Sequence, residues 1–328
     1  MKLKYCLTYI FFLLNLMVNA QSTEVRKSSK VERVSQTYGF LLGQELTLKK
    51  IEVKYPNLKS DVLLARMTFD LSFSKARKGI ENYLENYYGG PEKMEILRNE
   101  TYKIIDATNS HDFDEKMADN FIQQVHTRAM GNIPTPYLET LLSFQYAEDP
   151  VSEFLAGYTK TYKTKGHEKS KNTDWQLKIP MSWSWAEGNG PNVIQHFKSD
   201  YGSGTQGMLI MVKPLGVHFT KADIEEFYTE EGAKMMLEDG ENLISFSEVT
   251  LCGQRGGVLE IEQVLKRLDL DIKMRLLQFT FIYEDNLYFF QGTVSSSDLT
   301  EDLAKTLQKF RPLYMQVANS IMLNDLFK

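Results

Sequence analysis

The spacing of apolar residues changes once along this chain of 328 residues, near position 170. From Phe113 to Val125 large apolar side chains recur every four residues, a period typical of one face of an α-helix. From Trp175 to Ile179 they alternate with polar residues, which is typical of a half-buried strand. The change predicts an α+β chain of two domains, an all-helical bundle followed by an antiparallel sheet that helices cover.

Proline, glycine and capping residues indicate where helices of the first half begin and end. One helical pattern ends at Pro56 and another at Gly89-Gly90-Pro91, because proline breaks a helix and glycine suits its C-terminal cap. Apolar residues at helical spacing from Leu63 to Leu71 predict a helix between them. Asp149-Pro150 followed by Glu153 predicts a capping box at the start of a later helix.

Composition sets the expected domain boundaries. Residues 21–36 are polar and lack periodicity, so they predict a flexible arm. The helical domain is expected over 37–162. Residues 163–173 are rich in lysine and predict a linker open to proteolysis, and the second domain is expected over 174–328.

The second half follows the order strands, helix, strands, helix. Thr220 and Asp223 have capping-box spacing before a short helical pattern. Alternating apolar residues over 277–283 and a return over 287–294 predict a β-hairpin, with its turn at Glu284-Asp285-Asn286. Late helical patterns run from Leu299 to Phe310, and Pro312 could begin another helix. Short turns between consecutive strands predict an antiparallel sheet.

The first twenty residues have the pattern of a secretory signal peptide. Lys2 and Lys4 precede an apolar run that ends at Val18-Asn19-Ala20, so we expect cleavage after Ala20 and a periplasmic or secreted protein. A membrane anchor is the alternative, but the apolar run is shorter than the roughly 20 residues that span a bilayer. No later segment predicts stable membrane insertion.

The net charge narrows the possible classes of partner, and the cysteine content limits disulfide formation. The net charge is −5 and no large basic tract is present, which argues against nucleic acid as a partner. After signal cleavage Cys252 is the remaining cysteine, so no internal disulfide can form. We expect Cys252 to be a buried, small hydrophobic residue, with a thiol nucleophile as the alternative.

One motif carries a family resemblance. Leu177-Lys178-Ile179-Pro180 is followed by Trp183, then by Glu187-Gly188 and Pro191-Asn192-Val193. Together with the order of strands and helices, this resembles the PsbP-like superfamily over about residues 174–324. The resemblance implies an αβα sandwich and binding to protein partners, and the extra helical domain argues against a photosystem role. The helical half resembles the amino-terminal region of uncharacterised exported bacterial proteins.

Candidate binding residues cluster at the start of the second domain. Indole rings can pack against a partner or a sugar, so we name Trp183 and Trp185, with Asn189 and Pro191 in the glycine-rich loop that follows. Burial in the core is the alternative for Trp183, whereas Trp185 is the freer of the two. The glycines of this region predict turns, because they do not lead from a strand into a helix as a phosphate site requires.

No catalytic or metal-binding constellation is expected. The segment from His111 to Glu115 holds possible metal ligands, but carboxylates also favour a helix N-terminus. Ser203 lies between two glycines, and a triad with His196 or His218 would require them to meet in space. We predict no cofactor and no metal.

Glu260 and Glu262 share one face of a predicted strand. Paired carboxylates can serve as acid and base, but a solvated strand face also explains them, and we expect the latter.

These observations favour an exported, non-enzymatic binding or accessory protein of the bacterial cell envelope, acting through protein–protein contacts with an unknown protein. A hydrolase with an unfamiliar site between the two domains is the alternative, because domain junctions commonly hold ligand pockets. Small-ligand carriage around Trp185 is a third hypothesis.

Overall fold

The structure is a computed structural model that describes residues 30–108, 114–188, 190–237, 239–267 and 270–327. It divides into two compact units, Met1–Gln145 and Tyr146–Lys328. The predicted signal peptide lies outside the described residues. The predicted α+β organisation, a helical first half and antiparallel sheets in the second, is confirmed.

The described part of the first unit contains five α-helices: α1 (Lys30–Lys54), α2 (Lys59–Tyr88), α3 (Pro91–Thr108), α4 (Glu115–Ala129) and α5 (Tyr137–Gln145). Pro56 begins a short 3-10 turn that separates α1 from α2, as predicted. Gly89 ends α2 in a left-handed conformation with φ of 91°, and its N–H donates to the Glu85 carbonyl. Asp114 caps α4 by accepting from the Met117 N–H at 2.7 Å.

The arm predicted over 21–36 is wrong for its last seven residues, because α1 already begins at Lys30. Val34 is 1% exposed and lies four residues before the buried Tyr38, so it extends the apolar face of α1 by one turn. The polar neighbours of Val34 hid this continuation, because one apolar residue per turn is a weak signal.

The apolar residues that predicted a helix from Leu63 to Leu71 do lie on α2, but they are exposed. Leu71 is 81% exposed, whereas Val62 and Ala65 are fully buried. The buried face of α2 continues through Phe69, and it contacts α1, α4 and α5. Helical spacing therefore identified the helix correctly, although the large side chains that gave the signal are not the ones that form the core.

The described residues of the second unit form two antiparallel sheets. The smaller has the strand order β1-β2-β10, formed by β1 (Thr159–Lys163), β2 (Trp175–Pro180) and β10 (Met322–Leu323). The larger has the order β3-β4-β5-β9-β8-β7-β6, formed by β3 (Ser184–Glu187), β4 (Val193–Lys198), β5 (Gln206–Pro214), β6 (Glu241–Leu251), β7 (Gln254–Arg267), β8 (Leu270–Tyr283) and β9 (Asn286–Ser296). The helices of this unit are α6 (Pro150–Leu155), α7 (Lys221–Phe227), α8 (Glu230–Met235) and α9 (Leu303–Asn319).

Both faces of the seven-stranded sheet are buried along its central strands. On β8, Leu277 and Phe279 enter a core shared with α9 and the small sheet, whereas Leu276 and Ile282 face the opposite side. That opposite side is covered by the segment of α7 and α8, which contributes the fully buried Tyr228. The layers are those of an αβα sandwich, as predicted. We call the α9 side the inner face and the other side the outer face.

The segment predicted as a linker, residues 163–173, is a packed part of the second unit. Its first residue ends β1, which pairs with β2 in a register that places Thr159 opposite Pro180. Thr164 is fully buried, and its hydroxyl donates to the carbonyls of Thr173 and Trp175. The lysines belong to an edge strand and its connection, and lysine is a common residue on sheet edges. The boundary between the units therefore lies at Gln145, not at residue 163.

Helix α9 lies directly against the sheet at Gly292 of β9. A Cβ atom on Gly292 would lie 2.4 Å from the Tyr314 ring, and the Tyr314 hydroxyl donates to the Thr293 carbonyl at 2.7 Å.

Helix α9 is continuous through Pro312, so the prediction that Pro312 could begin a separate helix is wrong. Packing of the apolar face on both sides of the proline holds the two halves in one helix.

Replacing Gly292 with alanine should destabilise the second unit by about 1–3 kcal/mol, because the added methyl group overpacks the contact with Tyr314. Urea denaturation followed by tryptophan fluorescence measures this change, since the three tryptophans of the chain lie in the second unit. Gly253→Ala is not a suitable control because Gly253 has positive φ. Ser247→Ala, at an exposed position of the edge strand β6, is the control, and equal loss in both variants would contradict the close contact.

Candidate functional site

Trp183 is a core residue. Its side chain is 3% exposed, and its ring makes edge-on contacts with Phe310 and Tyr314 of α9 at centroid distances of 6.4 and 6.5 Å. The indole is therefore not available at the surface, and the core alternative for this residue holds. Its contribution is to fix the chain against α9 one residue before β3 begins.

Trp185 is on the surface, with 49% of its area exposed. It lies on β3, the edge strand of the large sheet. The Tyr162 ring of β1 meets it edge-on at 6.1 Å, and the Lys160 ammonium lies 4.8 Å from the centre of the indole. Lys160 also donates to the Met181 carbonyl at 3.1 Å. We call Lys160, Tyr162 and Trp185 the Trp185 corner, where the edges of the two sheets meet.

The loop between β3 and β4 holds the other predicted residues. Pro191 is exposed, and Asn189 lies outside the described residues. Lys169 ties down the start of this loop, since its ammonium donates to the Gly188 carbonyl and lies 3.3 Å from the Glu187 carboxylate. Trp185 and Pro191 thus belong to one hairpin, and the binding role of these residues stays a prediction.

Glu153 is a buried carboxylate beneath the Trp185 corner. It is 3% exposed and accepts hydrogen bonds from the Ser182 main-chain N–H at 2.7 Å and the Ser182 hydroxyl at 2.6 Å. Burial raises the pKa of Glu153 to about 7, and the two Ser182 bonds and the Lys160 charge oppose this shift. The predicted capping box is wrong, because Glu153 turns away from its own helix to hold the turn before Trp183.

A second region is a pocket of about 230 Å³ on the outer face of the large sheet. We call it the outer-face pocket. Its lining comes from β4, β5, β8, β9 and the loop before β5, and consists of His196, Phe197, Lys198, Gly204, Thr205, Gln206, Gly207, Met208, Leu209, Met274, Gln291, Thr293 and Ser295. Sequence reasoning missed it. The available signal was Gly207, since an isolated glycine within a strand often marks a close approach of another group.

Two polar side chains of the outer-face pocket already have hydrogen-bond partners. Gln291 donates to Gln278 at 3.2 Å, and Ser295 donates to the Thr205 carbonyl at 3.0 Å. Burial lowers the pKa of His196, and the charges of Lys198 and Lys169 lower it further. The imidazole is therefore neutral at pH 7, and Lys198 carries the charge of the lining.

The residues considered for catalysis have structural partners. The Ser203 hydroxyl donates to the Asp200 carbonyl at 2.8 Å and to its carboxylate at 3.0 Å. The Cys252 thiol donates to the Ile321 carbonyl at 3.0 Å, and burial raises the pKa of Cys252 to about 11. Because the thiolate is the reactive form, this cysteine is a poor nucleophile near neutral pH.

The prediction of a solvated strand face is wrong for Glu260. It is only 9% exposed and is held between Arg275, at 2.6 Å, and Arg311 of α9. Glu262 lies 3.6 Å from Arg275. The carboxylates are thus part of an ionic network that includes Arg311 of α9, and within it Glu260 requires paired charges because it is largely shielded from water.

Two further properties follow from the described residues. No group of three or more His, Cys, Asp or Glu side chains is placed there to hold a metal ion; the segment His111–Phe113 is outside that part of the chain. Nor does any helix within it combine the length and apolar character needed to cross a membrane.

Comparison with known proteins gives structural neighbours only. No family model and no curated protein matches the sequence. The solved structures that match include PsbP (CyanoP) from Synechocystis, with 14% identity, coverage of 51% of this chain and 92% of that chain, and a TM-score of 0.32. The Ran-binding protein Mog1p from Saccharomyces cerevisiae has 8% identity, coverage of 50% and 95%, and a TM-score of 0.33.

LpqN from Mycobacterium tuberculosis, described as involved in cell envelope biogenesis, has 9% identity, coverage of 52% and 95%, and a TM-score of 0.31. The neighbours thus include a PsbP and a Mog1 over about half of this chain. At these scores the likeness assigns neither a function nor a partner. The resemblance of the helical half to exported bacterial proteins stays a prediction.

Glu153→Gln should remove a pH dependence of stability. The folded-state pKa is raised from 4.5 to about 7, so the contribution of the protonated Glu153 to stability is complete below pH 4.5 and is lost as the pH rises to 7. The loss is on the order of 3 kcal/mol. Glutamine never ionises, and its amide can still accept from the Ser182 N–H and donate to the Ser182 hydroxyl.

Urea denaturation from pH 4 to 8 measures the difference between this variant and the wild type, which should widen between about pH 4.5 and 7. Glu225→Gln, at an exposed position of α7, is the control and should follow the wild type. If the free energy of unfolding changed with pH in the same way for wild type and Glu153→Gln, the prediction would be contradicted, because ionisation of Glu153 would then not destabilise the folded state.

Proposed function

We propose that this protein is an exported, non-enzymatic binding or accessory protein of the bacterial cell envelope that contacts a protein partner through the Trp185 corner. Export rests on the predicted signal peptide, with cleavage after Ala20. The observation that carries the proposal is the half-exposed indole of Trp185, which Tyr162 and Lys160 hold in place.

Tryptophan is among the residues that contribute most to protein–protein interfaces, because a large ring buries much apolar area with little loss of rotamer freedom. The Trp185 ring contacts Tyr162 and Lys160 of β1, so its orientation is already restricted before a partner binds. Ordering in advance lowers the entropic cost of association.

The surroundings of Trp185 suit a protein surface. Among the strands that the structure describes, β3 pairs with β4 alone and β1 pairs with β2 alone, so each has one edge whose backbone donors and acceptors are not used by another of these strands. Exposed sheet edges can pair with an extended segment of another chain. The basic Lys160 and the acidic Glu187 lie near the indole and provide a polar rim of both signs.

The non-enzymatic part of the proposal is supported by the partners of the candidate catalytic groups. Ser203 bonds to Asp200, Glu260 is paired with two arginines, and the raised pKa of Cys252 leaves its thiol protonated. The alternative of a hydrolase remains a prediction, and no contact among these groups favours it.

The test uses site-specific photo-crosslinking in envelope fractions of the organism that encodes the protein. A photoreactive phenylalanine analogue at position 185 should yield a defined protein adduct. The control places it at position 87, where the native tyrosine has a similar exposure of 53%. The partner identified in the adduct should then bind Trp185→Ala at least about tenfold more weakly than wild type, and Tyr87→Ala equally well.

Absence of an adduct specific to position 185 would overturn the proposal, as would unchanged affinity of Trp185→Ala for the crosslinked protein. Recovery of the full-length chain in the cytoplasm, with residues 1–20 intact, would overturn its export.

A further inference from the structure

We propose that the outer-face pocket binds a small molecule in which one carboxylate is joined to a short apolar body. This goes beyond the proposed function and is independent of it. The two sites use opposite faces of the large sheet. Trp185 pairs with Phe197, whose side chain enters the inner core. His196 and Lys198 precede and follow Phe197 on β4, so their side chains face the outer side.

The charge of the pocket favours an anion. Lys198 and His196 are its titratable lining residues, and the lining contains no aspartate or glutamate. Lys169 is close enough to lower the pKa of His196. Within the described residues Lys198 forms no ion pair. A protein with a net charge of −5 thus has a locally positive recess, which attracts anions.

The amount of charge favours a carboxylate over a phosphate. Lys198 supplies one positive charge, because burial and the neighbouring lysines lower the pKa of His196 and keep its ring neutral at pH 7. A single ammonium matches a monoanion, whereas phosphate sites normally combine several donors or charges.

The position of Gly207 makes room for the ligand beside this charge. In the sheet register Gly207 lies opposite Lys198 on one side and Thr293 on the other. A Cβ atom on Gly207 would lie 2.8 Å from the Thr293 hydroxyl oxygen. The missing side chain therefore leaves the floor open between an ammonium and a hydroxyl on neighbouring strands.

The Thr293 hydroxyl is a second available donor. Among the described residues it has no hydrogen-bond partner, since the Thr293 contact with Tyr314 uses the main-chain carbonyl. Gln206, in contrast, accepts from Ser199 and donates to Thr205. Lys198 and Thr293 are therefore two groups on neighbouring strands that are free to hold the two oxygens of a carboxylate.

The rest of the lining sets the size and polarity of the ligand body. Leu209 and Met274 provide apolar wall beside the polar groups. A volume of about 230 Å³ is below the range of roughly 300–1,000 Å³ typical of pockets for drug-sized ligands. The pocket therefore fits a short aliphatic or single-ring acid.

The test is titration of the mature protein, labelled on its methionine methyl groups, with hexanoate and with the uncharged hexanamide. Hexanoate should shift the Met274 methyl signal saturably and leave that of Met322, on the small sheet, unchanged. Hexanamide should bind at least about tenfold more weakly.

Lys198→Gln should weaken hexanoate binding by a similar factor, to the level of hexanamide. Lys213→Gln is the matched control: it removes the same charge from an exposed position of β5 outside the pocket lining, and should bind as wild type does. Gly207→Val should abolish the Met274 shift by filling the floor.

Three outcomes would overturn the proposal: no saturable shift of Met274 at up to about 10 mM hexanoate, well above a millimolar Kd; equal binding by Lys198→Gln; or equal binding of acid and amide. Should Gly207→Val fail to fold, the Lys198 and Lys213 variants decide. Trp185→Ala should bind hexanoate as tightly as wild type does. A failed test of the partner contact at Trp185 would therefore not affect the test of this pocket.

Discussion

The second unit depends on one constraint: the central strands of its large sheet are apolar on both faces, so both faces need a cover. On the inner face, α9 comes so close at Gly292 that any side chain there would meet Tyr314. On the outer face, the segment of α7 and α8 supplies Tyr228 and Ala233. The functional candidates lie where this cover ends, with the Trp185 corner at the sheet edge and the outer-face pocket beside the helices.

The features that could be predicted from the sequence are those whose signals are local. Period-two spacing identified the hairpin of β8 and β9, and its turn at Glu284 and Asp285 has the positive φ values expected of a two-residue connection. Thr220 and Asp223 form the predicted capping box. Residues 163–173, the end of β1 and its connection to β2, were mistaken for a linker, because lysine-rich chain at a sheet edge has the composition of an exposed loop.

Features formed by tertiary pairing could not be predicted in the same way. Glu153 matched a local capping pattern, yet its partner Ser182 is distant in sequence. Glu260 alternated like a solvated residue, yet Arg311 of α9 covers it. The outer-face pocket draws its lining from strands that only the sheet register brings together, so Gly207 was its one local sign. The exposure of Trp185 could be predicted from its place beside a glycine-rich turn, whereas its binding role stays a prediction.

The central claim is that the second unit is an independent αβα sandwich that begins near Tyr146 and includes α6 and β1. Its most direct test compares two fragments, residues 146–328 and 164–328, by far-ultraviolet circular dichroism and urea denaturation. We expect the longer fragment to be rich in β-structure and to unfold cooperatively. The shorter one, which lacks Glu153 and β1, should be much less stable or unfolded. Equal stability of the two fragments, or a mainly helical spectrum for the longer one, would contradict the account.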